Sequence, residues 1–197
     1  MSSTWGEIAR EAIQKRGLLF FSDVVDDIRS LPQADIRAVL AVAAAHRLAR
    51  MRVGDGGADE LDRQCAAAID EMWLLLIAGT QSTSGEWPWL LRLREAIHGD
   101  DEDRDVVAAT LFAAEALADG NADAAAWAVS RLIDDCFASL DEEARMSTGQ
   151  VDDFIRECAA PQVQALLSRL GSTVQGLLTS GLSAGTVARV REAFDAG

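Results

Sequence analysis

Two histidines, His46 and His98, are the only imidazole side chains in the sequence. A hydrolase of the Ser-His-Asp type needs a histidine that activates a nucleophile, and neither residue accompanies a recognisable nucleophile turn. His46 falls on an alanine-rich helical stretch, where a partly buried, hydrogen-bonded imidazole is the ordinary interpretation. His98 precedes Gly99 at the end of a predicted helix. The sequence therefore predicts structural roles for both histidines and no catalytic residue.

Carboxylates are the second group that could do chemistry, because acids on facing helices of a bundle can hold a divalent metal. A metal-dependent hydrolase of the helical-bundle type is therefore an alternative function. Its ligands would be Asp59, Asp62, Asp70 and Asp153. Solvated acidic faces explain the same residues without a metal. We expect no metal and no cofactor.

The acidity of the chain limits its partners, since 32 acids oppose 18 bases and give a net charge of −14. Between residues 100 and 157, 16 acids face four arginines, a net charge of −12. Such a field repels phosphate backbones and attracts basic molecules, so we expect no nucleic-acid binding. Solubility is a simpler explanation of the same charge.

The charge pattern favours a non-enzymatic bacterial protein-binding domain, in its most specific form an immunity protein or antitoxin that blocks a basic toxin. The acids expected to contact the partner are Asp119, Asp123, Asp134, Asp135, Asp141, Glu142 and Glu143. A homo-oligomeric structural protein with Trp87 and Trp89 at its contact is a further alternative. Inward packing of these two rings is the competing interpretation.

Length and composition predict one domain over residues 1–197, since 49% apolar and 25% charged residues are ordinary for a globular chain. Three widely spaced cysteines without a CxxC pair indicate neither a disulfide framework nor a zinc site. The N-terminal stretch lacks the apolar core of an export signal, and no apolar run approaches the roughly 20 residues of a membrane span. We expect a cytoplasmic protein without membrane contact.

Helices must position all of these residues, because no alternating strand pattern is long enough to form a sheet. The stretch Asp103–Leu140 predicts two amphipathic helices folded back on each other, with Gly120 ending the first and Asn121 capping the second. Trp127 falls on the apolar edge of the second helix, and Asp141-Glu142-Glu143 leads into a loop. The predicted fold is an all-α, single-domain bundle of roughly eight to ten helices with a central antiparallel helical hairpin.

Local signals predict further helix boundaries. Asp59 is placed to cap a helix with a continuous apolar stripe, which we expect to be the most buried helix. Ser172 and Gln175 have the spacing of a capping box that starts another helix. Gly181 provides a stop, and Ser183 starts the last helix.

Three segments carry a family resemblance. They are the alanine-rich segment 41–48, the segment Ile69-Asp70-Glu71-Met72-Trp73, and the central hairpin followed by Val151-Asp152-Asp153-Phe154 with Gln162 and Gln164. In these places the chain resembles the uncharacterised bacterial all-helical family named for YjaG, over Ile36 to Leu170. The resemblance implies an all-helical fold and no particular activity, since none of the three segments is a catalytic motif.

Overall fold

The computed structural model describes residues 22–54, 56–79, 87–99, 101, 104–147 and 160–195. This part of the chain forms eight helices and no strand, so the all-α prediction is confirmed. In chain order the helices are α1 (Ser22–Ser30), α2 (Ala34–Gly54), α3 (Glu60–Ala78), α4 (Pro88–Ala96), α5 (Asp105–Asp119), α6 (Ala122–Ser147), α7 (Ala160–Ser180) and α8 (Ala184–Asp195). Within these ranges, none of the helices combines the length and the apolar character needed to cross a membrane.

Helix α2 is the most deeply buried element. Every residue from 38 to 46 is buried, and α2 packs against both α5 and α6. Its many alanines have short side chains, so neighbouring helix axes can approach closely. The prediction that α3 is the most buried helix was wrong, because α3 keeps Leu74 and its neighbouring acids in solvent while α2 is covered on two sides.

The connection between α5 and α6 follows the local sequence signals. Gly120 has φ 65° and donates its N–H to the carbonyl of Ala116 at 3.1 Å, which ends α5. The Asn121 Oδ1 accepts the backbone N–H groups of Asp123 and Ala124 at 3.0 and 3.2 Å, which caps α6. The two helices pack against each other as well as against α2. These three helices form the centre of the described core.

Two predicted boundaries were wrong. Helix α6 continues to Ser147 instead of ending near Leu140, so Asp141-Glu142-Glu143 is helical. Helix α7 runs through Ser172 without interruption, and the Ser172 hydroxyl donates to the carbonyl of Ser168 at 2.7 Å instead of capping a new helix. A serine inside a helix can bond to the carbonyl one turn before it, so the spacing of a capping box also occurs in helix interiors.

Candidate functional site

Arg104 connects the start of α5 to the start of α3. Its Nη1 donates to Asp59 Oδ2 at 2.8 Å and its Nη2 to Asp62 Oδ1 at 2.5 Å. Asp59 and Asp62 also form a reciprocal capping box at the α3 N-terminus, so the predicted cap is confirmed. The hydrogen bond from Arg104 lowers the pKa of Asp59 to about 2. Both carboxylates therefore serve helix capping and ion pairing.

Two further arginines make similar links between helices. Arg52 Nη2 donates to Asp135 Oδ1 at 3.2 Å, and Arg131 Nη1 donates to Asp105 Oδ1 at 3.1 Å. Arg52 and Asp105 line a polar cavity of about 340 Å³ together with Arg104 and its two aspartates. We call these three ion-paired groups the arginine–aspartate cluster. Sequence reasoning missed it, although 17 of the 18 basic residues are arginines, whose planar guanidinium suits fixed carboxylate pairs.

The four carboxylates considered as metal ligands are not brought together in the described structure. The first two bind Arg104, and Asp70 pairs with Arg191 Nη2 at 2.5 Å. Asp153 lies outside the described residues. Among the residues that the structure describes, no group of three or more His, Cys, Asp or Glu side chains is placed to hold a metal ion. A cation at the first pair would have to compete with a guanidinium already bound there.

The two histidines occupy different environments. His46 is buried, and its Nε2 lies 2.9 Å from Asp195 Oδ1 at the end of α8. Its ring also meets Trp73 edge-on, with ring centroids 6.0 Å apart. Burial lowers the pKa of His46, while the Asp195 carboxylate acts in the opposite direction. The predicted structural role of His46 agrees with these contacts, which connect α2 to α8, whereas His98 is exposed.

The two tryptophans at the start of α4 pack on each other. Trp87 and Trp89 are stacked, with ring centroids 5.1 Å apart and planes 15° apart. Trp87 is buried, as the inward-packing interpretation predicts, and Trp89 is half-buried beside a cavity of about 500 Å³ between α3 and α4. The stacked Trp87 and Trp89 rings therefore help to hold α4 against α3.

The described acids expected to contact a partner differ in exposure and pairing. Asp135 is buried and pairs with Arg52, so its carboxylate belongs to the interior. Asp123 is exposed but pairs with Arg29 Nε of α1 at 2.5 Å. Asp119 is exposed at the end of α5. Three other predicted acids, Asp141, Glu142 and Glu143, lie further along α6, and their side chains are outside the described part.

Asp123, Trp127 and Asp134 lie along one side of α6, because steps of four and seven residues return to the same side of a helix. Trp127 is 50% exposed, and its ring centroid lies 6.5 Å from that of Phe112 on α5. Asp134 is exposed and accepts a 3.4 Å hydrogen bond from Ser130. We call Asp123, Trp127 and Asp134 the α6 stripe.

The exposure of Trp127 corrects its predicted place on the apolar edge of the helix. Smaller residues, including Ala124, Ala128 and Val129, fill the side of α6 that is buried against the core. A helical repeat identifies the apolar sector only approximately, and a tryptophan at its margin can remain in solvent. The sequence signal that could have identified the stripe is the position of Trp127 between two acids of the same helical side.

Comparison of the chain with models of known protein families, with curated proteins and with solved structures gives no match. The resemblance to the family named for YjaG therefore stays a prediction. Function is inferred from the contacts, burial and charge of the described residues, and the α6 stripe is the surface that combines exposed aromatic area with exposed negative charge.

Proposed function

We propose that this chain is a non-enzymatic, cytoplasmic protein-binding domain that recognises a basic protein. In its most specific form, the proposal is that the chain is a bacterial immunity protein or antitoxin that neutralises a toxin by covering its basic surface. The observation that carries the proposal is the α6 stripe, where half-exposed Trp127 lies between Asp123 and Asp134.

An exposed tryptophan is well suited to anchor a protein contact. Tryptophan is enriched among the residues that dominate binding energy, because it buries a large area and loses little conformational freedom. The face of its indole ring also attracts arginine and lysine side chains through a cation–π interaction. Trp127 therefore offers both apolar contact and affinity for a basic partner.

The flanking carboxylates supply electrostatic complementarity. Acids beside an aromatic anchor accelerate association with a basic protein and favour it over acidic competitors. The Asp123 pair with Arg29 is solvent-exposed on both sides, and such pairs contribute only about 0–1 kcal/mol. A partner arginine can therefore replace Arg29 at small cost.

The test begins with capture of the partner from the native host, followed by measurement of the Kd with the purified partner. We expect a basic partner whose binding weakens as salt rises from about 50 to about 300 mM, because exposed charges are screened over this range. Trp127→Ala should weaken binding by at least about tenfold. Leu74→Ala, which removes another exposed apolar side chain from α3, is the matched control and should leave the Kd unchanged.

The charge contribution is measured separately. Asp134→Asn should lower the association rate and reduce its salt dependence. Glu192→Gln neutralises an exposed acid on α8 and serves as the control. A partner without basic character, binding that is indifferent to salt, or equal effects of Trp127→Ala and Leu74→Ala would count against the proposal.

A further inference from the structure

A cavity of about 580 Å³ lies where four helix ends meet, namely the starts of α2 and α8 and the ends of α3 and α5. This volume falls within the roughly 300–1,000 Å³ of small-molecule sites. Apolar side chains from three elements contribute to its walls, with Leu76 and Ile77 from α3, Leu117 from α5 and Leu182 from the α7–α8 connection. The cavity can therefore enclose the apolar part of a small-molecule ligand.

The charged groups of this cavity are negative. Asp35 and Asp119 line it, and none of the described lining residues is basic. The ends of α3 and α5 add partial negative charge, because the helix dipole places its negative end at the C-terminus. The starts of α2 and α8 contribute partial charges of opposite sign, so the helix ends offset one another. Arg37 Nη2 donates to the carbonyl of the lining residue Gly120 at 2.7 Å, and the two lining carboxylates against this one guanidinium leave a net negative charge.

We propose that this cavity binds an organic ammonium ion with an apolar body. The apolar part packs against Leu76, Ile77 and Leu182, while the ammonium group donates to the Asp119 carboxylate. An organic anion of the same shape is repelled by both lining carboxylates. This ligand site is separate from the α6 stripe, which contributes none of the lining residues.

The probe for the test is n-octylammonium chloride, titrated into the full chain and followed by amide chemical shifts. We expect saturable shifts concentrated at residues 75–79 and 116–120, the cavity-lining ends of α3 and α5. Octanoate has a similar chain and opposite charge, and it should bind at least about tenfold more weakly, a difference of about 1.4 kcal/mol.

Two variants at exposed positions that line the cavity test where octylammonium binds. Asp119→Asn should weaken octylammonium binding at least about fivefold, which is about 1 kcal/mol. Glu192→Gln removes one negative charge from an exposed position outside both the cavity and the α6 stripe, and it should have no effect. Ala78→Trp places a large side chain at the lining end of α3 and should abolish binding, while the urea unfolding midpoint shows that the fold is retained.

Several results would overturn the proposal. They are octanoate binding as tight as octylammonium binding, unchanged affinity in both Asp119→Asn and Ala78→Trp, shifts scattered over the surface, and no saturation. Because protein-partner binding is tested at Trp127 and Asp134, failure of the ligand site and failure of the proposed partner surface are distinguishable.

Discussion

Replacing Gly120 with alanine should destabilise the protein more than the same replacement at Gly79. The two glycines have nearly identical left-handed backbones, with φ 65° and 66°, and both follow the last residue of a helix. Their surroundings differ. An added Cβ at Gly79 meets nothing within 4 Å, whereas one at Gly120 would lie 2.9 Å from the Cβ of Ala34 at the start of α2. A comparison of Gly79→Ala with Gly120→Ala therefore separates the energetic cost of backbone strain from the cost of overpacking.

The expected magnitudes follow from these two contributions. A left-handed alanine costs roughly 1–2 kcal/mol at either position. At Gly120 overpacking adds about 1–3 kcal/mol, because the Ala34 Cβ is fixed to the backbone and cannot rotate away. The Gly120 carbonyl also accepts Arg37 Nη2 at 2.7 Å, and a shift of the turn would weaken that bond. We expect Gly120→Ala to lose about 2 kcal/mol more than Gly79→Ala, or about 4–8 °C in Tm.

Urea unfolding followed by circular dichroism measures both variants. The double variant Ala34→Gly/Gly120→Ala removes the clashing atom, so it should recover most of the excess loss after correction for Ala34→Gly alone. Equal losses at Gly79 and Gly120, or no recovery in the double variant, would refute the packing argument. A change in the slope m would instead indicate an altered denatured state.

Three further predictions concern named side chains. Arg104→Met should lower the free energy of unfolding by about 2 kcal/mol, because it leaves the buried Asp62 carboxylate without its ion pair. Arg63→Met removes an exposed ion pair and should cost much less, so equal losses of the two variants in urea unfolding would contradict this. Burial lowers the pKa of His46 below its ordinary 6.5, so the unfolded chain protonates first and the free energy of unfolding should fall as pH drops through and below 6.5. His46→Gln should lose that part of the pH dependence, and an unchanged pH profile would count against it. Burial raises the pKa of the Cys65 thiol to about 11, so peptide-level mass spectrometry should find slow alkylation of Cys65 at neutral pH and fast alkylation in urea.

Short-range signals predicted much of the helical framework. Asn121 caps α6, Gly181 ends α7 with φ 71°, and the Ser183 hydroxyl accepts the backbone N–H of Thr186 at 3.2 Å to start α8. Each of these features depends on a few consecutive residues whose chemistry acts within one helical turn. Such boundaries can be read without knowledge of the tertiary fold.

Long-range contacts explain what sequence reasoning missed. Arg104 and Asp62 are 42 residues apart, and His46 and Asp195 are 149 residues apart, so no local spacing indicates either pair. The exposure of Trp127 likewise depends on which side of α6 meets α2 and α5. Net charge predicted exposed acids, but which acids are exposed depends on the packing of separate helices.

Fewer carboxylates are available to a partner than the net charge of −14 suggests. Asp62, Asp105 and Asp135 are held by arginines in the arginine–aspartate cluster, while Asp119 and Asp134 are exposed. Salt screens fully exposed charges much more than partly buried pairs such as those of the cluster. Added salt should therefore weaken partner binding well before it weakens the cluster, and parallel salt series of Kd and of the free energy of unfolding would separate the two. If both declined together, loss of the fold would explain the salt effect, and the surface charge would have no specific role in binding.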